Sequence, residues 1–441
     1  MKNYFKLIAI SLAMITFIKV TAQEVEFTEY DLNNGLHVIL HQDNKAPIVT
    51  VGVMYHVGAK DEDPGRTGFA HFFEHLLFEG TKNIGRGKWM EIVSSKGGNN
   101  NANTTQDRTY YYETFPSNNL EVGLWMESER MMHPIINQIG VDTQNEVVKE
   151  EKRQRIDNAP YGKVFSATSK EVFKKHPYQY PVIGSMEDLD AAKLEEFQAF
   201  NDKFNNPNNA TLVVAGDLDI KKTKKMIADY FGSIKNNGEK IERTEIKEEP
   251  ITQEIIAKET DANIQVPAKI LVYRTPKQTD KDAYVLDYIS TLLTGGKSSR
   301  LYKKMVEDKK MALQVFAFPN SNEDYGTYII GALPLGGVTL PNLQKEIDEE
   351  IEKLQNDLIS EREFQKLQNQ FENDFVNSNA TVEGIANSLA SYYVLYGNTD
   401  LINKEIDIFR SITREDILRV AKKYLNNNQR VNMDYIPEAA E

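Results

Sequence analysis

The sequence predicts an α+β protein of two similar domains, each a mainly antiparallel sheet covered by helices. Three observations predict it. Strand-like and helix-like patterns run twice in the same order, as strands, helices, strands, helices and a closing strand. Between the two runs lies NNGEKIERTEIKEEP, a charged stretch over 236–250 too poor in apolar residues to join a core. The 441 residues, 40% of them apolar, suffice for more than one core. The implied division is a leader over 1–22, an N-terminal domain over 23–235, a linker over 236–252 and a C-terminal domain over 253–441.

In the leader, Lys2 and Lys6 precede an uncharged apolar run over 7–18, and Val20 and Ala22 supply the small residues of a cleavage site. This is the layout of a signal peptide cut after Ala22; an uncleaved anchor is the alternative. The run is short of the roughly 20 apolar residues that cross a bilayer, and no later stretch approaches that length, so no membrane span is expected after removal. Export points to the periplasm, with release to the outside as the other destination.

The first domain opens with an alternating segment over 36–40 and an apolar one over 48–55, with Asp43-Asn44 between them. The pattern predicts a β-hairpin. Helices are expected over 68–78 and over 87–96, the latter stopped by Gly97-Gly98. Residues 99–115 read as one extended strand, rich in Thr and Tyr but with little apolar surface in its first half, which suits a sheet edge. Helices over 119–132 and 143–156 follow, then a strand over 210–215 and a helix over 220–231. The second half repeats the plan with a strand at 270–273, a helix over 281–293, the Gly295-Gly296 break and a helix from Arg300. Strands near Val315 and Tyr328, helices from 340 and a last strand over 431–435 complete it.

The chain has no cysteine, which excludes disulfides, thiolate metal sites and a cysteine nucleophile. Histidine and carboxylate are then the strong metal ligands left. The formal charge is −13, and losing Lys2, Lys6 and Lys19 with the leader makes it −16. So acidic a chain, without a clustered basic stripe, repels phosphate backbones, so nucleic acid is not an expected partner.

The segment GFAHFFEHLLF over 68–78 concentrates the chemistry. Taking His71 as zero, the helical repeat places His75 at about +40° and Glu74 at about −60°, all three within one arc. Two imidazoles one turn apart can share an ion, and the carboxylate beside them reaches its open position, where it can deprotonate a water. The alternative is an amphipathic helix with ordinary polar residues. Phe69, Phe72, Phe73, Leu76, Leu77 and Phe78 make the helix apolar nearly all round, and burying unpaired imidazoles in it is costly unless a metal holds them.

A catalytic zinc needs a third protein ligand. His37, His41, His56, His133 and His176 lie outside any ligand spacing and read as structural. Glu146, Glu150 and Glu151 are the candidates on the next helix. Glu151 follows Val147 by four and Val148 by three, which centres it on the expected inward face, while Glu146 and Glu150 are displaced toward solvent.

GFAHFFEHLLFEGT, NNANTTQDRTYYY and EVVKEEKRQR with NAPYG behind it resemble the pitrilysin/insulinase family of zinc peptidases. The likeness is strongest to the half-length branch typified by mitochondrial processing peptidase, and it covers nearly all of the mature chain. It implies a glutamate ligand about 76 residues beyond the second histidine, and Glu151 lies 76 beyond His75. It also implies two α+β domains forming half of a clamshell, one Zn2+ per chain, and hydrolysis of unfolded peptides. In this family the substrate adds as an extra strand to an edge whose matching residues here are Asn101, Ala102, Asn103 and Thr104. A solvated loop is the alternative for that stretch.

Two positions depart from the family pattern. Where some members carry a further glutamate, this chain has Gln144. Where single-chain members carry an Arg and a Tyr that grip the substrate carbonyl, SSRLYKKMVEDKKMALQV places Val306 and Leu313, neither of which can donate a hydrogen bond. The resemblance then implies the metal-bearing subunit of a heterodimer whose homologous partner supplies the Arg/Tyr pair. The rivals are a register slip in that alignment, a non-catalytic structural subunit, and a peptide-binding subunit of the same fold.

Overall fold

The computed structural model describes residues 24–237, 241–243 and 245–438. The expected leader lies outside them, as does part of the expected linker.

The first sheet has the order β1-β2-β6-β3-β5-β4. Its strands are β1 (Thr28–Asp31), β2 (His37–Gln42), β3 (Ile48–Tyr55), β4 (Asn99–Thr104), β5 (Thr109–Pro116) and β6 (Ala210–Gly216). The second has the order β7-β11-β8-β10-β9, from β7 (Ile255–Asp261), β8 (Ala268–Thr275), β9 (Ala312–Ser321), β10 (Gly326–Pro334) and β11 (Arg430–Pro437). Setting β1 aside, both sheets follow one plan. The first strand pairs in parallel with the last, and every other neighbour is antiparallel. The α+β class with two similar halves is therefore what the chain forms.

Two local expectations give way. The segments at 36–40 and 48–55 are strands but no hairpin, because β6 inserts between them, parallel to β2 and antiparallel to β3. A central strand buried at all seven positions finds two apolar neighbours there, which a local turn signal cannot foresee. Residues 99–115 are likewise two strands, not one. The chain reverses at Thr105, whose hydroxyl accepts from the amides of Asp107 and Arg108 while its own amide donates to the Arg108 carbonyl at 2.9 Å. A threonine turn of this kind needs neither Gly nor Pro.

The helices are α1 (Phe69–Leu76), α2 (Trp89–Ser95), α3 (Leu120–Met132), α4 (Gln138–Lys152), α5 (Val164–Val172), α6 (Met186–Ala191), α7 (Leu194–Phe204) and α8 (Ile220–Phe231) in the first half. The second half has α9 (Lys281–Thr294), α10 (Leu340–Asn356), α11 (Glu361–Ser378), α12 (Val382–Tyr396), α13 (Leu401–Arg410) and α14 (Arg414–Tyr424). On one face of the first sheet Val51, Val53, Leu212 and Val214 pack against Phe72, Leu76, Leu124 and Phe197.

The opposite faces are covered by exchange. α12, from the second half, lays Ile385, Ala386, Leu389 and Ala390 on Ile39, Met54, Val213 and Ala215 of the first sheet. α5 and the segment after it, from the first half, lay Ala167, Val172, Phe173 and Tyr178 on Ile270, Val272, Val431 and Met433 of the second. Each half thus completes the other's core.

Candidate metal centre

α1 begins where Gly68 takes φ +91°, a backbone state that costs a residue with a Cβ energy, and where a Cβ would meet the Ile183 carbonyl at 2.7 Å. No side chain of the helix caps its first turn. The half-buried Glu62 does so from outside, accepting from the amides of Gly68 at 2.9 Å and Ala70 at 2.8 Å. At the far end Arg130 Nη1 donates to the Leu77 carbonyl at 3.0 Å. Phe69, Ala70, Phe72, Phe73 and Leu76 are buried, so the helix is fixed and its polar residues leave together through one face.

That face meets α4, whose N-cap Asn137 accepts from the Gly140 amide at 2.9 Å. Glu151 Oε2 lies 3.2 Å from His75 Nε2 and 3.6 Å from His71 Nε2. The three side chains offer ligand atoms all within 4.8 Å of one another. A tetrahedral zinc with bonds of about 2.0–2.1 Å holds its ligand atoms roughly 3.4 Å apart, so the observed spacing suits that ion. Among the described residues no other group of three such side chains meets this test.

The inner face of α4 differs from the expected one at Val147. Val148 is fully buried, but Val147 is 44% exposed, so the inner face of α4 runs through Val141 and Val148, not through both valines. Glu151, one turn beyond Val148, stays on it; Glu146 and Glu150 face solvent, paired with Lys149 and Arg153.

Electrostatics fit ligands more than ion pairs. Burial, aided by the His75 charge, lowers the His71 pKa to about 4 and so keeps the imidazole neutral. Glu151 is held below the usual carboxylate range, first by its hydrogen bond with His75. Its other oxygen takes Arg155 Nη1 at 2.7 Å. Glu74 is raised, mainly by burial, although the Thr104 hydroxyl donates to its Oε2 at 2.5 Å. Among the remaining histidines, His37 bonds Asp31, His41 the Glu26 carbonyl, His56 Glu323 and His176 Asp324.

Thr104 belongs to β4, the edge strand of the first sheet that also carries Asn101, Ala102 and Asn103, so this edge reaches Glu74 through its last residue. Thr105 and Arg108 form a bonded pair, and alternation along the antiparallel ladder gives Asn103 and Asn101 to β5. The main-chain groups of Thr104 and Ala102 therefore face outward. The Ala102 amide is in fact taken by the Asn101 side chain at 2.9 Å.

The departures from the pattern are also placed. Gln144 donates to Glu79 at 2.5 Å, which ties α4 to the loop after α1. Val306 packs against the second core and Leu313 is 51% exposed on β9, so neither supplies a donor. Sequence reasoning missed Arg130, Glu62 and Arg155; a charged residue inside an apolar helix, as in MESERMM, was the available signal for the first.

Comparison with known proteins agrees with this architecture. Residues 37–186 match the model of the insulinase family, peptidase family M16, and residues 191–371 match the M16 inactive domain. A zinc protease, PqqE, of Helicobacter pylori is 32% identical over 410 residues, covering 90% of each chain. A crystal structure of a protease from Helicobacter pylori superposes with TM-score 0.87 at 30% identity, over 93% of this chain and 99% of that one. The first half of the periplasmic protease PqqL from Escherichia coli shares the fold, with TM-score 0.76 at 19% identity over 94% and 93% of the two chains. A half-length, two-sheet chain with an HxxEH helix, matched along its length by zinc proteases, belongs to the pitrilysin/insulinase family of peptidases, M16.

Proposed function

We propose that this chain is a zinc-dependent endopeptidase acting on unfolded peptides, with His71, His75 and Glu151 as ligands of one zinc ion and Glu74 as general base. The convergence of these three side chains from α1 and α4 at zinc spacing carries the reading. A zinc ion held by these three side chains would supply Lewis-acid chemistry, activating a water and polarising the peptide carbonyl. Glu74, which accepts from the Thr104 hydroxyl, would serve as base toward the attacking water and then as acid toward the leaving amine. The peptide lies along β4 as an added strand, bonded to the main chain of Ala102 and Thr104 with Asn101 and Asn103 flanking them. Docking requires the Asn101 side chain to release the Ala102 amide.

The absence of a donor at Val306 and Leu313 supports a two-chain enzyme in which this chain bears the metal and a homologous subunit supplies an Arg/Tyr pair for the oxyanion. The metal domain is assigned to 23–235, the linker to 236–252 and the metal-free domain to 253–441. The leader expected over 1–22 supports export to the periplasm. Among the described residues no helix is long and apolar enough to cross a membrane.

The test is zinc content and cleavage of an unstructured peptide, measured for the chain alone and mixed with its Arg/Tyr-bearing homologue. Glu74→Gln should keep its zinc and lose turnover by about 10²–10⁴-fold. Full turnover in that variant removes the general base; a chain without zinc, or inert with every homologue, favours a structural or peptide-binding subunit.

A further inference from the structure

The hairpin that carries the edge strand ends in the turn Thr105–Arg108, and the corresponding hairpin of the second half, β9–β10, ends in 322–325. The two tips touch. Asp107 is 3% exposed, and its carboxylate accepts from the Glu323 amide at 3.0 Å and the Tyr178 hydroxyl at 2.5 Å. Between the tips lies the Lys60 ammonium, 3.1 Å from Asp107, 2.7 Å from Glu323 and 3.1 Å from Asp324. His56 bonds the same Glu323 oxygen at 2.8 Å, and His176 bonds Asp324 at 3.2 Å.

Lys60 is placed by close main-chain packing. The Ala59 and Lys60 amides donate to the Thr105 and Gln106 carbonyls, and at Gly58 a Cβ would meet the main chain of Gln106 and Asp107 at 2.5 Å. A lysine among three carboxylates stays charged, and removing one partner from a largely buried cluster costs more than breaking a surface pair, because it leaves the other charges uncompensated. Nothing in the chemistry at the metal uses these residues, yet Asp107 stands three positions from Thr104, which touches Glu74.

We propose that the second half positions the substrate strand: Glu323, through Lys60 and Asp107, clamps the tip of the β4–β5 hairpin and thereby sets the register in which a peptide lies against the metal site. The inference rests on edge-strand docking at Ala102 and Thr104. A clamp at the tip matters because a strand offered only main-chain bonds can slip by two residues with its side chains still facing the same way. Held firmly, β4 presents one peptide bond to Glu74; loosened, it presents neighbours as well. Lys60, Asp107 and Glu323 are thus positioning residues, and they give the metal-free half a task in specificity.

The experiment uses the full chain with Glu323→Ala, Lys60→Met and, as conservative control, Lys60→Arg. Hydrogen exchange of the substrate-free protein is read over β4 and β5. Glu323→Ala and Lys60→Met should exchange about tenfold faster there, the scale of losing one charge-assisted bond from an opening equilibrium, with α1 and zinc content unchanged. Mass spectrometry of one fixed peptide should show neighbouring bonds cut in those two variants and the single original bond cut in Lys60→Arg. Unaltered exchange in the hairpin overturns the clamp whatever the peptidase assay shows. A loosened hairpin with unaltered cleavage sites overturns its role in register. A wild-type chain that cuts no peptide counts against the peptidase reading, and the exchange data still decide the clamp.

Discussion

Glu151 turns one carboxylate oxygen to the histidines and the other to Arg155, so contacts within the chain orient it. Glu151→Ala should weaken zinc binding by more than the roughly 10–100-fold that follows loss of a ligand's own hydrogen-bond partner, as competition with a metal-sensitive dye would measure. Arg130 has a different kind of importance. It is fully buried, bonds Glu127 and Glu113 as well as Leu77, and lies within 4.5 Å of the ring centres of Phe78, Trp89 and Tyr111. Arg130→Met would leave two interior carboxylates without their cation, and urea unfolding should show a loss of about 3–5 kcal/mol. Asp287 titrates near neutrality: burial, then the Glu405 charge, raises its pKa to about 7. Because the folded value lies above the unfolded one, its contribution favours the fold below about pH 4 and fades as pH rises through 7. Asp287→Asn should therefore match the wild type at pH 4 and melt at a higher temperature at pH 8.

Elements were legible where their signal was local. α8 follows apolar periodicity, α1 is an apolar stretch with its three polar residues on one arc, and β3 and β6 are largely apolar runs. The signal failed where the partner is distant in sequence: the false β2–β3 hairpin reflects a strand about 160 residues further on that turns lie silent about. It also failed where a strand is half polar. β1 and β7 alternate between half-buried and exposed positions and offer no apolar stripe to see. The HxxEH helix was readable because the spacing of His71, Glu74 and His75 is itself the chemistry, and Glu151 because it lies one turn beyond the buried Val148, with the family spacing in agreement; Val147, which is exposed, gave no support. The threonine turn before β5 carries a test at this scale. Thr105→Val removes the hydroxyl that holds two amides, and should speed hydrogen exchange in the β4–β5 hairpin and raise KM more than it lowers kcat.

At the scale of the molecule, two copies of one strand plan are joined by more than a linker. α12 and α5 each sit on the other half's sheet, and Val25 near the start of the described chain bonds Asn403 through both its amide and its carbonyl. Neither sheet keeps both faces dry without the other half. Calorimetry should accordingly record a single unfolding transition, with the ratio of van't Hoff to calorimetric enthalpy near one, and two separated transitions would show the halves to be independent.

The crossed helices have one more consequence. Cutting the backbone between the halves, by a protease or by splitting the gene at that point, does not free them, because each piece still carries the lid of its neighbour. Two fragments made separately are expected to be poorly folded alone and to recover structure only on mixing, so an unbroken backbone between the halves is dispensable while the handshake is not.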